Sequence, residues 1–191
     1  MRLKIFCVIL AITMLMLAGS SAAFDGQRKG KVLAMGFGYV AAGPHTINTE
    51  RTTYRPGVAI RLVAGYATSN RSMYTFGIAR QAIFYTDARG TSMEGTNWML
   101  ELSMTRYLRE THHAAFWRTG LGLIDWGIRG NRADSPREES TDLDFCLVGG
   151  VGYMFLKGLQ VQLDLVAGPA PSGGDGKIKG LLRLELVGMI Y

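Results

Sequence analysis

Cysteine is almost absent from this chain, and what little there is cannot bridge. One of the two, Cys7, falls in an N-terminal stretch that reads as a leader, which leaves Cys146 without a partner. No internal disulfide is expected. Histidine is limited to His45, His112 and His113. The adjacent pair would point apart on a strand, so it makes a poor metal site, and no cofactor site is legible. Proline is scarce. Beyond residue 24 no apolar run approaches the ~20 residues of a membrane helix. Long basic runs are missing too. The formal charge of +6 falls to +4 without Arg2 and Lys4, and bases and acids are mixed throughout, which argues against nucleic acid as a partner.

The opening "MRLKIFCVILAITMLMLAGSSAAFDG" has a basic start, an apolar middle over residues 5–18 and a small-residue exit. That pattern is a secretory signal peptide, with cleavage expected after Ala23. No cysteine follows "LAG", so a lipoprotein acceptor is not expected. The expected division is therefore a leader over 1–23 and one domain over 24–191.

Glycine and period-two alternation are abundant. Eight candidate strands, at 31–43, 56–68, 73–86, 97–108, 115–129, 142–155, 159–168 and 178–191, are mostly longer than soluble strands and suit tilted membrane crossing. Their connections read as long and short in strict alternation, as in outer-membrane barrels with longer external loops and short periplasmic turns. Leu33, Met35, Phe37 and Tyr39 oppose Ala34, Gly36 and Gly38; Leu159, Val161, Leu163 and Leu165 oppose Gln160, Gln162 and Asp164. The bulk of the apolar faces would overfill a narrow barrel interior. Small and polar residues therefore point inward and lipid covers the apolar faces. The expected fold is all-β, an eight-stranded antiparallel up-and-down transmembrane barrel.

The closing "LLRLELVGMIY" resembles the C-terminal signature of Gram-negative outer-membrane proteins, and "FDGQRKGKVLAMGFGYVAAGP" and "GVGYMFLKGLQVQLDLVAG" are similar to small barrels of the opacity and OmpA-like type. The resemblance implies an outer-membrane location and recognition of Tyr191 by the barrel assembly machinery. Counting back from Tyr191 in twos brings Glu185 and Arg183 onto the lipid face. A bulge near Gly188, which would let Leu182–Leu186 share a face with Met189 and Tyr191, is expected to resolve this. Arg80 and Arg118 break the alternation in their own strands. The aromatics Trp98, Tyr107, Trp117, Trp126, Tyr153, Phe155 and Tyr191 are expected in interfacial girdles.

Charges that cannot sit in lipid define the candidate site: Arg61, Glu101, Asp125, Arg129, Asp142, Asp144, Asp164, Arg183 and Glu185 are expected to pair inside the lumen as a structural plug. A proton or small-ion path is the competing use. An enzyme reading would need His45 with Ser92 or Ser135 at the outer rim, and no supporting spacing occurs, so no catalytic residue is assigned. The glycines of "GLGL" and "GGVGY" lie inside strands with no following helix, which removes a phosphate-loop reading. The expected role is structural, or surface interaction through four external loops. The alternatives are a lipid A-modifying enzyme and a soluble periplasmic barrel for an apolar ligand. Nothing in the loops names a partner.

Overall fold

The computed structural model describes residues 28–42, 53–86, 92–111, 113–130, 143–169 and 178–191. The expected leader, His45, His112, Ser135 and Asp142 lie outside these residues. Eight strands run in order: β1 (Gly30–Ala42), β2 (Thr53–Ala67), β3 (Ser72–Thr86), β4 (Ser92–Tyr107), β5 (Ala114–Gly130), β6 (Leu143–Leu156), β7 (Leu159–Pro169) and β8 (Ile178–Ile190). Every strand pairs antiparallel with its chain neighbours, and β1 pairs with β8, so the barrel is closed. Closure leaves no strand edge, which is what a sheet needs where no water can satisfy free N–H and C=O groups.

The register fixes the shape. Starting at Gly30, the row of paired residues passes through Ala67, Met73, Thr105, Arg118, Gly150, Asp164 and Arg183, and re-enters β1 at Val40, ten residues beyond its start (30 to 40). For eight strands that stagger requires a tilt of about 40°. Each step along such a row, from β1 towards β8, therefore climbs about 3 Å along the barrel axis. The climb runs from the end carrying the turns at 68–71, 108–113 and 157–158 (the turn end) to the opposite loop end.

The barrel is inside out compared with a water-soluble one. Phe145 is 78% exposed and Leu102 and Leu121 are each 64% exposed, while Arg183 and Asp164 are each 0% exposed. In water, apolar exposure on that scale would be a patch far beyond what monomers present. Burial alternates residue by residue as the sequence requires. Inside, two apolar layers cap a polar one. The turn-end layer includes Val32, Met73, Tyr107, Phe116, Met154 and Val187. The loop-end layer includes Val40, Met99, Ile124, Cys146, Val166 and Leu181.

Several expectations are corrected. β8 has no bulge at Gly188; its pairing with β1 is unbroken from Leu181 to Ile190. Leu182, Leu184 and Leu186 face out, whereas Arg183, Glu185, Val187 and Met189 face in. Tyr191 continues the inner series and packs on the turn-end apolar layer, so neither it nor Tyr107 belongs to a lipid girdle. The resolution is simply a buried charge pair, which the lumen can hold and lipid cannot. The strict alternation of connection lengths also fails once: Ser92–Glu94 pair with Phe84–Thr86, so the third connection shrinks to 87–91 and is no longer than the turn at 108–113. A partner strand already in place lets polar residues continue the ladder despite modest strand preference. Bulges lie instead between Arg55 and Val58, around the donor-less Pro56, and between Met154 and Leu156.

Glycines sit where the wall touches itself. A Cβ on Gly38 would run into the backbone of Leu184 and Glu185 across the β1–β8 seam, whereas one on Gly149 would meet nothing within 4 Å. Gly38→Ala is therefore expected to open the closing seam and to cost about 1–3 kcal/mol as overpacking does, with Gly149→Ala near neutral. Heat-modifiable electrophoretic mobility and urea midpoints of the two variants check this; equal midpoints would contradict the seam contact.

Candidate functional site: a buried charge network in the lumen

The alternation that turns leucines outward turns polar residues of β2, β4, β5, β7 and β8 onto a common axis. Arg61 (β2), Glu101 (β4), Arg118 (β5), Asp164 (β7) and Arg183 and Glu185 (β8) meet in the polar layer, and none is more than 4% exposed. Arg61 Nη1 lies 2.6 Å from Glu101 Oε1 and its Nη2 lies 3.0 Å from Glu185 Oε2. Arg118 contacts Glu101 Oε1 through Nη2 and Asp164 Oδ2 through Nη1, the latter at 2.6 Å. Arg183 Nη2 reaches Asp164 Oδ2 at 2.8 Å and Glu101 Oε2 at 3.1 Å, and its Nε lies 3.4 Å from Glu185 Oε1. Three guanidiniums thus face three carboxylates. The set is neutral, and each carboxylate has at least two cationic neighbours, which is how a desolvated ion cluster offsets the cost of its burial.

Glycines on the adjoining strands make the room. Cβ atoms on Gly36 and Gly77 would press on Glu185 Oε2 at 3.2 Å and Glu101 Cγ at 3.1 Å. Around the ions Arg118 also donates to Ser103 Oγ at 2.8 Å, and Ser103 shares a 2.8 Å hydrogen bond with Thr75 Oγ1. A pocket lined by Arg61, Arg118, Gln160 and Gln162 beside the ions has about 10 Å³ of free space, no more than one water occupies.

A hydrogen-bonded polar chain leads to the site from the turn end. Tyr191 and Tyr107 hydroxyls lie 3.4 Å apart, and Tyr107 donates to Gln160 Oε1 at 3.0 Å. Gln160 Nε2 donates to Gln162 Oε1 at 3.1 Å, and Gln162 Nε2 donates to Asp164 Oδ2 at 2.8 Å and Glu185 Oε2 at 3.1 Å. Towards the loop end the apolar layer around Val40, Met99 and Leu181 is interrupted by the inward-facing amides of Gln81 and Asn97, both buried, whose Gln81 Nε2 and Oε1 and Asn97 Oδ1 have no hydrogen bond among the described residues. The chain stops at the ions.

Arg28 closes the turn-end mouth. It precedes β1, is 1% exposed, and holds its guanidinium 4.0 Å over the Tyr107 ring. Its Nη1 donates to the carbonyls of Asn70 at 2.9 Å and Arg109 at 3.2 Å, and its Nη2 donates to that of Thr111. One side chain so ties two turns across the opening.

Of the residues expected in the lumen, Arg61, Glu101, Asp164, Arg183 and Glu185 are brought together. Asp125 is not: Ile124 takes the inner position, and Asp125 stands on the outer face between Trp98 and Leu143. The alternation set by Arg118 and Gly122 leaves it no other side. Asp144 faces inward beyond the loop-end apolar layer, and its Oδ2 has no hydrogen bond among the described residues. Arg129 is placed in β5 by its backbone, and its side chain lies outside the described set, as does that of Trp126. Arg118 and Arg28 were missed from sequence. Phasing β5 on Trp117, Thr119 and Leu121 would have turned Arg118 inward; Arg28, outside any strand, carries no such signal. Arg80 faces out, 5.2 Å from the Trp98 ring. His113 is exposed on a turn, its carbonyl accepting from Thr111 Oγ1 at 3.1 Å. Among the described residues no three His, Cys, Asp or Glu side chains group as a metal site.

No family model and no curated protein matches this chain. Solved structures do. Neisserial surface protein A shares 13% identity over 84% of this chain and 96% of its own, with a TM-score of 0.53. Ail, the attachment invasion locus protein of Yersinia pestis, in complex with the heparin analogue sucrose octasulfate, gives 10% identity, 85% and 99% coverage and a TM-score of 0.54. The outer-membrane protein OprG of Pseudomonas aeruginosa gives 9%, 86% and 96%, and 0.50. The chain therefore has the fold of the small Gram-negative outer-membrane barrels, and its apolar exterior is that of a protein seated in such a membrane.

Arg183→Leu should destabilise the barrel by about 3–5 kcal/mol, because it leaves carboxylates buried without their partner. Adding Asp164→Leu should cost less than the sum of the two single changes, since neutrality returns. Urea unfolding in lipid vesicles measures the cycle, and strict additivity would mean the ions are not coupled.

Proposed function

We propose that this chain is an exported, integral outer-membrane barrel with a structural or surface-interaction role, that its lumen is plugged, and that it is not an enzyme. The observation that supports the reading is the neutral, buried ion cluster held between two largely apolar layers. A conducting pore would leave a wetted path past the ions, and a catalytic site would leave them partly free for substrate. Here each guanidinium of the cluster is engaged by two or more carboxylates, and the pocket beside them has space for about one water.

In this reading residues 1–23 are removed on export and both barrel ends of the chain face the periplasm. The turns 68–71, 108–113 and 157–158 face it too. The four other connections then face outwards and carry any contact with partners. Tyr191 serves as the element read by the assembly machinery before closure, and its inward docking onto Tyr107 follows folding. Lipid is the one partner that the exterior requires.

Two measurements test this. In planar bilayers the purified barrel should show no large, steady single-channel conductance; such a conductance would overturn the plugged lumen. An epitope inserted after Ser135 should be labelled on intact cells, and one after Lys157 only once the outer membrane is opened. The reverse pattern would invert the topology, and recovery of the protein in a carbonate-soluble fraction would end the membrane reading.

A further inference from the structure

The lipid-facing wall is not uniformly convex. On the turn-end half of β5–β8 it holds a groove of about 440 Å³ whose lining is almost wholly apolar. Its upper wall follows one register row, Trp117, Val151, Leu163 and Leu184. That row continues onto β4 at Arg106, the direct partner of Trp117.

Two observations give the groove a polarity. First, Arg106 is exposed on the outer face and makes no ion pair among the described residues, so its charge stands at the lipid boundary uncompensated. Second, the stagger makes the row climb. From Arg106 to Leu184 it crosses four strand intervals and rises about 12 Å, against a leaflet of roughly 15 Å of hydrocarbon. A basic group thus sits at the turn end of an apolar channel that runs diagonally towards the middle of the membrane.

We propose that this groove holds an acyl chain of one periplasmic-leaflet glycerophospholipid whose phosphate rests on Arg106. The proposal rests on the orientation given under Proposed function, which puts the turn end at the periplasmic leaflet. Ala115 lies low in the groove beside Leu108, so a larger side chain there would fill the channel without touching the lumen.

The test is native mass spectrometry of the full barrel released from vesicles of phosphatidylethanolamine and phosphatidylglycerol doped with lipid A. Wild type should retain one glycerophospholipid. Arg106→Gln should lower the retained fraction about tenfold, the loss of one charge-assisted hydrogen bond, and Ala115→Trp should abolish retention. Both variants should keep wild-type heat-modifiable mobility, because both positions face lipid. Bare wild type, equal retention in the variants, lipid A in place of a glycerophospholipid, or a lipid-free dimer would each overturn the proposal. A barrel that enters vesicles and emerges bare fails the groove alone; one that never enters them fails the membrane reading as well.

Discussion

Everything in this structure follows from the need to satisfy the backbone without water. In hydrocarbon an unpaired N–H or C=O costs several kcal/mol, so the sheet must close. Closing eight strands with a stagger of ten (Gly30 back to Val40) fixes tilt and circumference together. The interior is then too narrow for a column of water and too wide to leave empty. Glycines at the closest wall contacts, two largely apolar layers, the buried amides Gln81 and Asn97 and a six-membered ion cluster occupy it.

Filling the lumen with ions is not the only way to make it stable. A hydrophobic cluster of similar volume would often be equally stabilising, since desolvation offsets much of the attraction between buried charges. What the ions add is register. Asp164 and Arg183 are directly opposed in the β7–β8 ladder, and a slip of one residue in either strand would turn its charges into lipid. An outward arginine at mid-membrane costs about 2–4 kcal/mol, so slipped pairings are penalised. An all-apolar strand pair would carry no such penalty.

The same logic explains what could be read from sequence. Period-two alternation decides facing wherever lipid and lumen demand opposite chemistry, and β2, β4, β6 and β7 were legible for that reason. β5 was harder because Arg118 and Asp125 lie an odd number of positions apart and so cannot share a face. Only the inner position at Arg118 meets carboxylates, while Asp125 can survive outside because it stands near the membrane edge. In β8 the terminal aromatic suggested a lipid-facing Tyr191, and the charges at Arg183 and Glu185 argued the reverse. Buried charge outweighs an aromatic that is tolerated on either side. The Arg28 latch lies in no periodic element; its partners are backbone carbonyls of two turns, and carbonyls carry no sequence signal.

The outward charges then locate the membrane. Arg80, Trp98 and Asp125 are consecutive along one register row, as are Arg106 and Trp117. Along β5, Trp117 and Asp125 are separated by about 20 Å of barrel height at this tilt, close to the ~25 Å apolar band of outer-membrane barrels. Between them the outer face of β5 carries Thr119, Leu121 and Leu123 and no charge. At such an edge the cost of an arginine falls to about 0–1 kcal/mol, and the Trp98 ring 5.2 Å from Arg80 gives that guanidinium an apolar surface to lie on. Because register rows climb with the stagger, neither polar edge lies level: each ascends across neighbouring strands. Residues at one height in the membrane therefore come from different rows. A charge that looks misplaced within one strand is placed correctly once the tilt of the whole barrel is counted.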